Sequence, residues 1–170
     1  QGPIFEVFAE VVPLAKKTGG EPMTGTWSVL NIGNGNALDA YVLITSSRMS
    51  LVNGDVWAYL PDGSVIELDR GPDCIGAHAC RTFPWTGDIA HGEMVTFTTN
   101  PEKEISSIGG AEGDIYRVSI VVTDSLSGIS TPPAIARDQG KITHFASVSP
   151  YKTAWPVIGA GQLLTYTIRA

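Results

Sequence analysis

Charge is scarce in this chain. Only 16% of its 170 residues are Asp, Glu, Lys or Arg, against ~25% in an average soluble domain. Basic residues are scarcer still: 11 Lys and Arg stand against 17 Asp and Glu, for a net charge of −6. The clustered positive footprint that nucleic acid or an anionic membrane surface selects is missing, so neither is expected as a partner. No apolar run approaches the ~20 residues of a bilayer-crossing helix, and no membrane span is expected. Asn-x-Ser/Thr sequons are lacking, so no glycan on Asn is expected. Also missing are a Gly-x-Ser-x-Gly elbow, a His-Glu-x-x-His helix, a phosphate-cradling loop and a dinucleotide fingerprint. Catalysis is accordingly the least favoured class, and no cofactor is expected. A helical period of apolar residues is almost nowhere to be found.

What is present is 43% hydrophobic residues, many of them β-branched, with 19 Gly and 11 Pro. That excludes intrinsic disorder, and the length suits one domain with a real core. Short β-branched and aromatic runs alternate with Gly, Pro, Asn and Asp every ten to fifteen positions, which predicts an all-β protein. Strands are expected near 4–14, 26–32, 39–46, 55–60, 64–69, 93–99, 104–108, 115–123, 140–148 and 162–169, with loops at 70–92 and 124–139. The clearest hairpin joins Trp57–Leu60 to Val65–Leu68 through Pro61-Asp62-Gly63-Ser64, where proline presets the turn and Asp-Gly supplies positive φ. About ten strands are too many for one flat sheet and suit two packed sheets.

The opening segment is the most informative. Along a strand over 4–14 the odd positions Phe5, Val7, Ala9, Val11 and Pro13 form one apolar face, while Ile4, Glu6, Phe8, Glu10, Val12 and Leu14 form a mixed one. A polar stretch over 16–22, with Gly19-Gly20, tethers this strand (1–15) to the domain proper (23–170). The plain reading folds the strand back on its own domain. The sharper reading hands it to a neighbour by β-strand addition, since the contacts made there equal those made at home. Repeated head to tail, such an exchange does not close and grows a filament. Burying the odd face contributes several kcal/mol by area, on the order of 2 kcal/mol for each full aliphatic side chain.

Cys74 and Cys80 bracket a short loop. A disulfide there is the first reading, stabilising by ~2–3 kcal/mol in the chain-entropy model and suited to an oxidising compartment. A metal site on Cys74, His78 and Cys80 is the alternative, although the spacing matches no zinc pattern. His91 and His144 stand isolated and read as structural. Trp27 and Trp57 fall within strand patterns and read as core. Trp85 and Trp155 lie in loops or at strand edges and are candidate surface aromatics, able to stack on a sugar or to meet a neighbouring subunit. Gln1 in place of Met suggests removal of a signal peptide, with an artificial start point as the alternative.

Gly25-Thr26-Trp27-Ser28-Val29-Leu30-Asn31-Ile32-Gly33, followed by Asp39-Ala40-Tyr41-Val42-Leu43-Ile44, resembles a strand–Asn-x-Gly–strand pattern. It is similar to that of secreted fibre proteins of the camelysin/TasA type and of archaeal bundling pili. Gly92-Glu93-Met94-Val95-Thr96-Phe97 resembles a later strand of such domains. The resemblance covers about a third of the chain. It implies a two-sheet, jelly-roll-like sandwich exported through a signal peptide, with an N-terminal donor strand whose interface role falls on Phe5, Val7, Ala9 and Val11. The Cys74/Cys80 loop departs from the pattern. The leading expectation is an extracellular, non-enzymatic subunit that joins identical subunits head to tail in a pilus or biofilm-matrix fibre. The alternative is a monomeric carbohydrate-binding or envelope-anchoring module. A virion coat subunit is a third option, without a basic arm to package nucleic acid.

Overall fold

Alternation of buried and exposed residues builds the molecule, two faces to every long strand. The computed structural model describes residues 2–13, 15–17, 21–75, 80–108, 110–124 and 133–143, with the backbone alone for 15–17. Among these are eleven strands: β1 Phe5–Val12, β2 Ala15–Lys17, β3 Pro22–Asn31, β4 Ala37–Ser47, β5 Val56–Tyr59, β6 Val65–Glu67, β7 Cys80–Ile89, β8 Met94–Thr99, β9 Ile105–Ser106, β10 Ile115–Asp124 and β11 Ala134–Thr143. They form the expected all-β sandwich of two sheets. The first sheet runs β1-β3-β8-β5-β6, with β9 on β3; the second runs β2-β11-β10-β4-β7. This division is the Greek-key order of immunoglobulin-type sandwiches. No helix among the described residues is long and apolar enough to cross a membrane.

Between the sheets lie Met23, Trp27 and Val29 from β3, Val95 and Phe97 from β8, Val42 and Ile44 from β4, and Tyr116, Val118, Ile120 and Val122 from β10, all buried. Flat rings need room beside them, and glycine supplies it. A Cβ at Gly87 would stand 2.6 Å from Cη2 of Trp85, and one at Gly25 2.5 Å from Cη2 of Trp27. The Pro61–Ser64 turn forms as its sequence predicts. Leu60 N–H donates to Ser64 O at 2.9 Å, and Gly63 takes φ 91°.

Three departures from the sequence reading stand out. The segment 70–92, expected as a loop, contains β7, which carries Pro84 and Gly87. Both are tolerated because, among the described strands, β7 is the edge of its sheet and pairs with β4 alone. The strand expected at 140–148 begins at Ala134, inside the expected loop 124–139. The polar stretch 16–22 holds part of β2 and the first residue of β3. The expected strand at 162–169, His78, His144 and Trp155 lie outside the described residues.

Candidate functional site at the first strand

Side chains from three other strands converge on β1. It is the edge of the first sheet and pairs antiparallel with β3 along its whole length, from Phe5↔Asn31 to Val12↔Thr24. Phe5, Val7, Ala9 and Val11 all face inward: Val11 is fully buried, and the other three pack half-buried against the core. The four residues singled out as a donor interface thus form one row, seated in the groove of the chain that carries them. Burial of Val11 alone stabilises by ~1.5–3 kcal/mol relative to leaving it in water.

Both ends of this groove are polar and specific. At the start, the buried Asn31 side chain organises three segments. Its Oδ1 accepts the N–H of Ile4 at 3.2 Å and of Gly33 at 3.0 Å, while Nδ2 donates to Gly35 O at 2.8 Å and Ile89 O at 3.0 Å. Ile32 N–H donates in turn to Ile4 O at 2.8 Å. The chain passes so close over the turn that a Cβ at Gly33 would lie 2.5 Å from Gly2 O and from Ile4 N. Asn31-Ile32-Gly33, read in the sequence as a turn, is also the seat of the N-terminal strand. His91 closes the turn from outside: its Nδ1–H donates to Gly33 O, and its backbone N–H to Asn36 Oδ1 at 2.9 Å.

At the far end, Val11 N–H donates to Asp138 Oδ2 at 2.9 Å, across the seam between the sheets. After the cis Val12–Pro13 bond the chain changes sheet, and β2 pairs parallel with β11. The Tyr116 hydroxyl donates to Pro13 O at this crossing. Burial, helped by the nearby negative charges of Asp138 and Glu21, pushes the Tyr116 pKa up to about 12, so the phenol keeps its proton as a donor at neutral pH. The hydroxyl end of the ring packs against Gly140, its cross-strand partner. Sequence reasoning missed Asn31, Gly33, Tyr116 and Asp138 as receptors of β1. Of these only the Asn-x-Gly spacing carried a signal.

The other expected sites fall elsewhere. Cys74 and Cys80 form a disulfide with Cα atoms 5.0 Å apart. Both thiolates of the metal alternative are thereby consumed, and the bond is compatible with an oxidising, extracellular setting. Among the described residues no group of three or more His, Cys, Asp or Glu side chains is placed to hold a metal ion. Trp85, expected as a surface aromatic, is buried, its ring edge-to-face with Phe97 at 5.8 Å. The inward face of an edge strand takes it into the core. Trp57, expected in the core, is instead half-buried, two positions from Tyr59 on β5, with Nε1–H donating to Gly54 O at 2.9 Å. Trp27 is fully buried.

The groove holds β1 in one register through strand pairing, apolar contacts and side-chain hydrogen bonds to its main chain. No protein-family model matches the sequence, and no curated protein does. The resemblance to camelysin/TasA fibre proteins thus has no counterpart in either comparison. Among solved structures the chain is similar to AvmM, which catalyzes macrocyclization in alchivemycin A biosynthesis: 14% identity, TM-score 0.55, with 88% of this chain and all of AvmM covered. It is also similar to the CARDB domain of PF1109 from Pyrococcus furiosus, at 14% identity and TM-score 0.46 over 84% of this chain and 90% of that one. A third is self-complemented MyfA, the major subunit of Myf fimbriae from Yersinia enterocolitica, at 10% identity and TM-score 0.34 over 81% of this chain and 98% of that one. At such identities the likeness to AvmM shows the fold alone: this chain is a β-sandwich of that general type.

Proposed function

We propose that the chain is a non-enzymatic, extracellular structural subunit that builds a pilus or matrix fibre by passing β1 to the next copy. The observation that carries this reading is the groove of β1. An edge strand lies there on an apolar row, clamped by side chains at both ends through Ile4, Val11 and Pro13. Asn31, Asp138 and Tyr116 recognise main-chain atoms, so an identical strand from a second copy meets the same contacts in the same register. The exchange then changes little beyond the path of the connection between Pro13 and Pro22. Head-to-tail repetition leaves a groove at one end and a strand at the other, which is an open filament.

A crosslink tests it. Val12 and Thr24 are exposed partners in the β1–β3 register. In the double variant Val12→Cys/Thr24→Cys, oxidation after assembly joins whichever two strands are paired. Exchange gives filaments that run as a covalent ladder on a non-reducing denaturing gel. Filaments that yield only internally crosslinked monomers, or the lack of filaments in electron micrographs, would refute the reading.

A further inference from the structure

We infer that a second surface joins copies of this chain back to front: the outer face of β1 on one copy docks into an arginine-lined groove on the outer face of the second sheet of another. The first half of this pair is the side of β1 turned away from the core. Glu6 and Glu10 are exposed there, with Phe8 between them 48% exposed and Ile4 and Val12 at the flanks 56% and 50% exposed. Neither glutamate has an ion-pair partner among the described residues.

The second half lies beside the Cys74–Cys80 disulfide. A groove of about 320 Å³ is lined by Ile75, Thr45, Ser47, Ser119, Arg117 and Arg137, among others. Both arginines are exposed and have no ion-pair partner among the described residues, in a protein whose net charge is −6. Arg137 is paired with Ser119 and Gln139 with Arg117, so the two arginines sit diagonally on β10 and β11. Such neighbours have Cα atoms ~7–8 Å apart. Glu6 and Glu10 are separated by about 13 Å along their strand, at ~3.3 Å per residue, with Phe8 midway. Long arginine stems on the diagonal span that separation, leaving the space between them for the phenyl ring. One face is acidic with an aromatic knob; the other is basic with a slot.

The occupant is a second copy because the complementary face is on this chain, and because the two faces lie on opposite sheets. A contact between opposite faces is heterologous and repeats without closing. Charge pairing of this kind sets register and on-rate and weakens with salt. The outer face of β1 is the same whether the strand sits at home or in a neighbour, so this contact does not rest on strand exchange.

The test uses the full chain carrying a Val7→Cys/Val29→Cys crosslink between inward-facing partners of β1 and β3, which leaves the outer face untouched, oxidised as monomer so that β1 cannot leave. Sedimentation velocity over rising concentration at low salt reads association through this surface alone. The locked chain is expected to associate, less so at high salt. Adding Glu6→Arg/Glu10→Arg, or instead Arg117→Glu/Arg137→Glu, is expected to abolish association, because each swap sets like charges opposite one another. Mixing the two swapped proteins restores both complementary pairs and is expected to restore association. All four positions are exposed, and unchanged circular dichroism and urea midpoints confirm folding. The milder pair Glu6→Gln/Glu10→Gln replaces the first swap if that variant fails to fold. A locked parent that stays monomeric, swaps without effect, or a mixture that stays dissociated would overturn the inference.

Discussion

Adding one methyl group at Gly140 tests the packing that holds the crossing of β1 into β2. In an ordinary strand interior, replacing glycine by alanine is favourable by ~0.5–1 kcal/mol, since it lowers the entropy of the unfolded chain. At this position the sign reverses. A Cβ there would stand 2.6 Å from Cε1 of Tyr116, and closer still to Cζ and the hydroxyl. Tyr116 is fully buried and its hydroxyl is bonded to Pro13 O. The ring therefore moves only by straining its neighbours or giving up that bond. Overpacking costs ~1–3 kcal/mol, and loss of the bond adds ~0.5–1.5 kcal/mol. Gly140→Ala should be net destabilising by ~1–3 kcal/mol. For a chain of this size each kcal/mol lowers Tm by roughly 2–4 °C. Urea unfolding gives the midpoint directly. In a Tyr116→Leu background the obstacle is gone and the same substitution should become neutral or stabilising. A raised midpoint in the parent chain, or an unchanged cost in the Tyr116→Leu background, would show the ring is not seated on Gly140.

The folded chain holds the Tyr116 proton up to about pH 12, whereas the unfolded chain releases it near the ordinary ~10. Between those values the folded state binds more protons, so stability is full below pH ~10 and falls as pH rises through the window. Urea midpoints measured from neutral pH upward should show that decline, and Tyr116→Phe should flatten it. Asp55 is buried, with Oδ2 accepting Val52 N–H at 2.8 Å and Oδ1 accepting Lys103 Nζ at 2.7 Å. Asp55→Ala removes charged hydrogen bonds worth ~1.5–3 kcal/mol, and the urea midpoint should drop accordingly with an unchanged slope.

Residue order alone determined that this is a β-sandwich. It also determined the inward face of β1, the core place of Trp27 and the Pro61–Ser64 hairpin. All of these are local: alternation and turn chemistry act between residues a few positions apart. What sequence order could not decide was which neighbours each strand would have. The segment 70–92 read as a loop, yet Pro84 and Gly87 fit a strand because β7 is an edge among the described strands, where a missing N–H costs little and the missing Cβ makes room for Trp85. Trp85 lies deeper and Trp57 less deep than expected because burial depends on which face of which sheet a strand presents. Asp138 and Tyr116 lie 127 and 103 positions from the atoms of β1 and Pro13 that they hold. A side chain's partner across a sandwich is set by the packing of whole sheets, and no window along the chain contains it.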